Sequence, residues 1–232
     1  QIVPVRDYDK TESWIMRARN GEENLLWPGT IKWFAKSSGT SNSKSKFIPI
    51  SDDSLNLCHY DGMQNMLSTY LDNYPDSRLL EGMALTLGGS ARIDEEGNGK
   101  TQYGDLSAIL LKNSPVLAEF RRTPPAEIAL ISDFEKKVNE ICKVSSKQNV
   151  TSFSGVPSWN LILLNAILDF SGKRDLRDVW PNLELFMHGG ISFDPYRKEY
   201  SRIIPHTDMN YMENYNASEG YFAFQDSPKD SS

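Results

Sequence analysis

Apolar periodicity that switches between helical and strand spacing along the chain is the feature that most narrows the fold. Such alternation builds helices packed on sheets, an α/β architecture, because each element buries one stripe or face against a neighbouring layer. From Tyr8 to Asn20, Trp14, Ile15 and Ala18 fall at helical spacing, and Gly21 supplies a stop. Ile31 to Ala35 and Phe47 to Ile50 are short β-favouring runs, separated by a polar loop from Ser37 to Lys46. Ser51 is suited to cap a long helix through Asn73, with Leu55, Cys58, Met63, Met66, Leu67 and Tyr70 among its apolar positions. Met83 to Leu87 is predicted as a buried strand ending in Gly88 and Gly89, and Asp94 to Gly99 as a loop.

The alternation continues to the end of the chain. Ser132 and Glu135 have capping-box spacing before a helix whose stripe is Phe134, Val138, Ile141 and Cys142. Val150 to Ser154 is a predicted strand feeding Gly155-Val-Pro-Ser158. Trp159 to Phe170 is apolar almost all round and closes at Gly172, so it is expected in the interior. Leu183 to Met187 is a strand running into His188-Gly-Gly190, and Asn210 to Tyr215 is another. The turn from Asn216 to Gly220 then leads into Tyr221-Phe-Ala-Phe224. With no repeat, heptad or dividing linker, the expectation is one α/β unit across residues 1–232, with mixed sheets flanked by helices.

Charge and cysteine usage exclude several classes of function. Twenty-five basic residues against thirty-one acidic give a net charge of −6, so no global basic field attracts nucleic acid or an anionic membrane. The two cysteines, Cys58 and Cys142, are far apart and lack metal-ligand spacing. That pattern suits buried thiols in a reducing cytosol. No apolar run approaches the roughly 18 residues of a membrane span. Asn149-Val-Thr151 and Asn216-Ala-Ser218 match the glycosylation pattern but carry little weight without a secretion signal. A cytoplasmic protein is expected.

Three polar loops follow strands, where ligands of open α/β sheets bind. In the first, Ser37 to Lys46, hydroxyls and backbone N–H groups could surround a phosphate, with Lys44 or Lys46 adding charge. A solvated hairpin loop accounts for the same composition, and Walker spacing is absent. In the second, Gly189 and Gly190 allow either close approach of a flat ligand or a tight turn. His188 could be a general base there, although a satisfied structural histidine is favoured because no Asp or Ser stands at motif spacing. In the third, Tyr215 to Glu219, a ring, small residues, a hydroxyl and a carboxylate could stack a base and hold Mg2+, or form an ordinary β-turn. Gly155-Val-Pro-Ser-Trp159 lies at a helix N-terminus that favours an anion, or simply packs Trp159 in the core. Neither Gly-x-Ser-x-Gly nor Gly-x-Gly-x-x-Gly occurs, which removes the common serine-hydrolase and dinucleotide readings.

Taken in order, Trp33-Phe-Ala-Lys-Ser-Ser-Gly-Thr-Ser41 through Lys46, Trp180-Pro-Asn182, and Tyr215-Asn-Ala-Ser-Glu219 with Tyr221-Phe222 resemble the auxin-responsive promoter family of acyl-acid amido synthetases. The resemblance runs from about Ile2 to Pro228, and the wording of Gly155 to Trp159 and His188 to Phe193 is closer to the bacterial branch. It implies part of the large N-terminal domain of an acyl-adenylate-forming ligase. Such an enzyme uses ATP and Mg2+ to activate a carboxylic acid and passes the acyl group to an amino acid. Ser37, Ser38, Gly39, Thr40, Ser41 and Lys46 match the phosphate-binding motif. Tyr215, Asn216, Ala217, Ser218 and Glu219 match the second nucleotide motif, in which the carboxylate is associated with Mg2+. Gly189 and Gly190 resemble the segment beside adenine. Tyr60 and Met63, with Val156 and Trp159 opposite, are implied as walls of the acid pocket. Lys46 and Glu219 are the residues expected to act most directly in the reaction.

Adenylation brings a carboxylate against a phosphate, so donors, a metal ion and alignment are needed rather than a covalent nucleophile. The absence of a triad agrees with that chemistry. Ser43 stands where the family often has glycine. The third nucleotide motif and the mobile C-terminal domain are expected beyond Ser232, and the start of the large domain before Gln1. A central segment, inactive alone, is the resulting expectation. Thioester formation with coenzyme A and a non-catalytic nucleotide- or acyl-binding module are the alternatives.

Overall fold

The structure, a computed structural model, describes residues 4–37, 45–95 and 99–227. Two mixed sheets organise it. The smaller has strands in the order β2-β1-β5-β4, formed by β1 (Trp33–Ser37), β2 (Lys46–Ile50), β4 (Ala91–Ile93) and β5 (Gln102–Gly104). The larger follows the order β10-β9-β8-β7-β3-β6 and contains β3 (Met83–Thr86), β6 (Arg122–Thr123), β7 (Val150–Gly155), β8 (Leu185–Gly189), β9 (Asn210–Ala217) and β10 (Gly220–Phe224). From β6 through β9 the strands are parallel, and β10 closes the edge as an antiparallel hairpin with β9.

Alternation within the central strands explains the packing of the larger sheet. In β8, Leu185 and Met187 join Met66 and Tyr70 of one helix, while Phe186 joins Leu163 and Leu164 of another on the opposite face. Both faces are covered, so β8 opens with the apolar run Leu185-Phe-Met187, and even the polar Thr151 and Ser152 of β7 are buried. Phe186 stacks on Phe153 at 4.3 Å and on Tyr200 at 5.1 Å between ring centres. Trp180 is wholly buried, and its indole N–H donates to the Ser145 carbonyl at 2.9 Å.

The helices follow their sequence signals closely at their ends. α1 (Tyr8–Arg19) starts where Asp7 accepts from the Lys10 N–H. Ser51 caps α2 (Asp52–Ser54) by accepting the Ser54 N–H at 3.0 Å. That helix continues through a π-helical segment (Leu55–Tyr60) into α3 (Asp61–Asn73), an interruption the apolar spacing did not disclose. α4 (Leu106–Lys112), α5 (Val116–Glu119) and α6 (Ala126–Ala129) are short connectors. For α7 (Phe134–Ser145), Asp133 rather than Ser132 is the cap, accepting the Lys136 N–H at 2.7 Å, because a carboxylate there reaches the first free amide. α8 (Pro157–Ser171) ends at Gly172 in the left-handed region, φ 67°, as the sequence required. α9 (Arg197–Ile203) supplies Tyr200 to the core.

One further sequence expectation is corrected. α8 is not enclosed: Trp159, Ile162 and Phe170 are each about half exposed, because the sheet covers only one side of the helix. Asp94 lies in a loop as expected, yet it is 1% exposed and ion-paired with Arg19, with Arg19 Nη2 to Asp94 Oδ1 at 2.8 Å. The Arg19 guanidinium also lies 4.0 Å over the Phe47 ring, which fastens α1 to the smaller sheet. Of the cysteines, Cys142 is buried as expected, and Cys58 is only partly so. No helix among the described residues is long and apolar enough to cross a membrane.

Candidate functional site

Parallel pairing brings several of the sequence-predicted residues to one edge of the larger sheet. Gly155 pairs with His188, and Gly189 pairs with Asn214, so the carboxyl ends of β7, β8 and β9 lie side by side. Gly190 has φ 83°, and a Cβ there would stand 3.3 Å from Val156. A Cβ on Gly189 would overlap the Asn214 carbonyl oxygen, so glycine lets the two strand ends approach. Gly190 and Val156 are therefore neighbours, as are Gly189 and the start of the Tyr215 turn.

The β9–β10 hairpin projects from this edge. Ala217 pairs with Gly220, leaving Ser218 and Glu219 at its tip. The Tyr215 ring is 59% exposed and lies 5.1 Å from the Phe222 ring, which gives the hairpin an accessible aromatic surface. Glu219 is exposed and has no ion pair or side-chain hydrogen bond among the described residues. A hard cation shared with phosphates needs only one or two protein carboxylates, and Glu219 fits that donor set. Among the described residues, no group of three or more His, Cys, Asp or Glu could hold an ion by itself.

The π-helical segment grips this hairpin. His59 Nδ1 lies 2.8 Å from Asn216 Oδ1, and Cys58 Sγ accepts the Tyr221 N–H at 3.2 Å. Gly62 packs under the Tyr221 ring, which a Cβ would overlap. The Tyr221 hydroxyl in turn donates to Met66 Sδ at 3.2 Å. A π turn often marks a functional site, because its extra residue re-aims the side chains around it. Tyr60 belongs to the same segment, but its hydroxyl donates to the Leu110 carbonyl at 2.8 Å. Burial pushes that phenol up to about 12, so Tyr60 can line a pocket as a neutral ring and cannot serve as a base near neutral pH. Met63 is half-buried on the following turn.

The phosphate-motif residues occupy a separate place. Ser37 and Lys46 are register partners at the mouth of the β1–β2 hairpin, while Ser38, Gly39, Thr40 and Ser41 lie outside the described residues. The Lys46 ammonium stands 5.4 Å over the Tyr8 ring, and the Tyr8 hydroxyl accepts the Phe47 N–H at 2.9 Å. Among the described residues, no hydrogen bond or ion pair joins Ser37 or Lys46 to the Tyr215–Glu219 turn. The link is indirect: β2 runs through the Ser51 cap into the helix that grips the hairpin.

Trp159 and Val156 sit at the start of α8. Trp159 is edge-packed on Phe134 at 5.2 Å and remains 51% exposed, so core packing does not consume it. Val156 is half-buried beside Gly190. His188 departs from the satisfied histidine that the sequence favoured. It is 3% exposed and stacked on Phe193 at 4.4 Å, and its Nδ1 has no partner among the described residues. Burial, with a smaller contribution from the nearby Arg197 charge, pushes its pKa down to about 4. His188 is thus neutral at pH 7 and closed off from solvent, a poor general base. The residue that sequence reasoning missed is His59; its partner is 157 positions away, and no local spacing signals the pair.

Comparison with known proteins bears on the family and the fold. The chain matches the GH3 family N-terminal domain over residues 1–99 and 90–209. Among solved structures it is similar to the AtGH3.15 acyl acid amido synthetase in complex with 2,4-DB, with 17% identity and a TM-score of 0.76 over 97% of this chain and 48% of that one. A second structure, of GH3.15 acyl acid amido synthetase, aligns with 15% identity and a TM-score of 0.69, again over 97% of this chain and 48% of that one. The chain therefore spans about half the length of these relatives, and the likeness at such identity is one of fold. No curated protein sequence matches significantly. The family match covers most of the chain, and the chain belongs to the GH3 family, whose acyl-acid amido synthetases its motifs resemble.

Proposed function

We propose that this chain supplies the nucleotide- and acid-facing part of an ATP-dependent acyl-adenylating ligase that joins a carboxylic acid to an amino acid. The observation that carries the reading is the Tyr215–Glu219 hairpin, which presents an exposed ring and a carboxylate without a partner among the described residues at the carboxyl edge of the parallel strands, beside Gly189 and Gly190. In this reading Tyr215 lies against the base, Gly189 and Gly190 leave room beside it, and Ser218 donates a hydrogen bond. Asn216 and Ala217 form the strand that holds these groups in place. Ser37 to Ser41 and Lys46 surround the phosphates with donors and positive charge. Glu219 would hold Mg2+, which when bound with the phosphates supplies charge neutralisation there.

The acid is held between Val156 and Trp159 on one side and Tyr60 and Met63 on the other. Its carboxylate attacks the α-phosphorus, a new P–O bond forms, and pyrophosphate leaves. The amine of the acceptor then attacks the activated carbonyl carbon and AMP departs. Positioning and electrostatic stabilisation provide the catalysis, consistent with a site in which neither Tyr60 nor His188 is available as a base. The bacterial wording of the Gly155 and His188 segments gives no ground for assuming a plant hormone as the acid.

Acid-dependent exchange of labelled pyrophosphate into ATP, measured on the full-length protein with a panel of carboxylic acids, tests the first half. Amino acids or coenzyme A added afterwards test the second. Amide formation is the expected outcome. Thioester formation instead would assign the protein to the coenzyme A ligases, and absence of any acid-dependent exchange would overturn adenylation.

A further inference from the structure

One face of the smaller sheet stays open beyond the ground that α1 covers. Ile15 and Ala18 of α1 pack with Phe34 and Tyr103. Past them, an open cleft of about 290 Å3 is lined by Lys36, Ser90, Arg92, Tyr103, Gly104 and Asp105. Strand register explains that company. Phe34 pairs with Tyr103 and Tyr103 with Arg92. Two positions along the same face, Lys36, Asp105 and Ser90 continue the row, with the Asp105 N–H donating to the Ser90 carbonyl at 2.8 Å.

The lining carries two cations and one carboxylate. Lys36 Nζ stands 6.0 Å from the Tyr103 ring centre, and neither Lys36 nor Arg92 makes an ion pair among the described residues. Asp105 occupies the N-cap of α4 without capping it. An N-cap carboxylate ordinarily accepts from the first free amides of its helix. Here Oδ2 accepts the Ser90 N–H at 2.7 Å instead, and Oδ1 has no hydrogen bond among the described residues. The wall opposite is held from both sheets. Lys137 of α7, 5% exposed, donates to the Gly88 carbonyl at 2.6 Å and the Gly89 carbonyl at 3.3 Å, while Ser107 Oγ of α4 accepts the Gly89 N–H at 3.0 Å.

We propose that this cleft is the subsite for the acceptor amino acid, with the α-carboxylate on Arg92 and Lys36 and the α-amino group on Asp105 Oδ1. The inference rests on the amide-forming reading given above. A polyphosphate tail would meet the Asp105 charge and a simple cation would meet two positive groups, whereas a zwitterion complements both. Clefts for drug-sized ligands start at roughly 300 Å3, so this one suits a smaller molecule. Its place also fits. Lys36 immediately precedes Ser37 of the phosphate motif, and Gly88 to Ser90 leave β3, the neighbour of the strand that leads to Val156.

Amide formation by the full-length protein tests the proposal, with saturating ATP and an acid that supports pyrophosphate exchange. Glycine, leucine, aspartate and lysine are each compared with their methyl esters, which keep the amine and lose the α-carboxylate charge. The readout is the ratio of kcat/KM for free acid over ester, because the intrinsic reactivity of the two amines cancels between proteins. Arg92→Met should lower that ratio roughly tenfold through KM, about the worth of one hydrogen bond to a charged group. Arg92 is exposed on an edge strand, so the variant should unfold at the wild-type temperature. Asp105→Asn should raise KM for both forms alike, since it faces the amino group they share. An unchanged ratio in Arg92→Met, or a loss confined to kcat, would overturn the proposal. Pyrophosphate exchange without any amide product would instead overturn the amide-forming reading itself, and this proposal with it.

Discussion

The two sheets hold their polar loops in different ways. At the carboxyl edge of the larger sheet, Gly189, Gly190 and the Tyr215 hairpin are placed by parallel strands buried on both faces, with Phe153, Phe186 and Tyr200 stacked beneath them. At the smaller sheet, the β1–β2 hairpin also rests on buried side chains, Phe34 with Ile15 and Ala18 on one face and Ala35 and Ile50 with Leu55 and Ile109 on the other, but its open end at Ser37 and Lys46 is tied down by polar pins. These are the Tyr8 hydroxyl on the Phe47 N–H and the Arg19 guanidinium over Phe47, with Arg19 itself held by buried Asp94. A core positions a loop by excluding every alternative packing, whereas a pin positions it through one or two polar contacts. The first edge should therefore answer mainly to changes in volume, whereas the mouth of the β1–β2 hairpin should answer to changes in charge and hydrogen bonding as well.

Phe186→Ala removes the central ring of the stack and should have the largest effect, a loss of about 3–5 kcal/mol in urea unfolding. A loss well under 1 kcal/mol would show that the stack does not hold the parallel edge. Asp94→Ala leaves the Arg19 charge buried without its carboxylate and should cost about 3 kcal/mol, with the loss of protection in amide exchange concentrated in α1 and β1–β2. Equal loss of protection across both sheets would contradict the division drawn above.

His188 offers a test by pH at the larger sheet. Its folded pKa of about 4 lies below the ordinary value of 6.5, so the unfolded chain binds more protons between those values. Its contribution is complete above pH 6.5 and is lost as the pH falls through 4, amounting to about 3 kcal/mol at most. His59 shifts in the same direction. His188→Phe should flatten the stability profile between pH 7 and 4.5; an unchanged slope would show that another group causes the acid sensitivity. Tyr8→Phe keeps the ring under Lys46 and removes one hydroxyl, so the smallest effect, about 1 kcal/mol, is expected there. A matched loss of Mg-ATP affinity would show that this pin reaches the phosphate motif.

Element ends were legible where the chemistry is local. Ser51 caps its helix and Gly172 closes α8 in the left-handed conformation, each within a few residues of the group it satisfies. The strands Val150 to Ser154, Asn210 to Tyr215 and Tyr221 to Phe224 were visible because they are long enough to show a pattern. β4, β5 and β6 were not, being three residues or fewer and defined by distant partners. The outward face of α8 was likewise invisible, since composition does not say how many sides of a helix are covered. The order of the motifs pointed to the family, and the family match over most of the chain agrees.

By itself, the sequence determined which stretches are helix or strand, where several of them start and stop, and which polar loops follow strands. It could do so because capping, turn chemistry and periodicity act over a few neighbouring residues. Only the tertiary structure decided that Gly190 meets Val156, that Tyr60 gives its hydroxyl to α4, and that His59 reaches Asn216. Those contacts join residues far apart in the chain, and strand register together with the π turn, rather than local preference, brings them within reach.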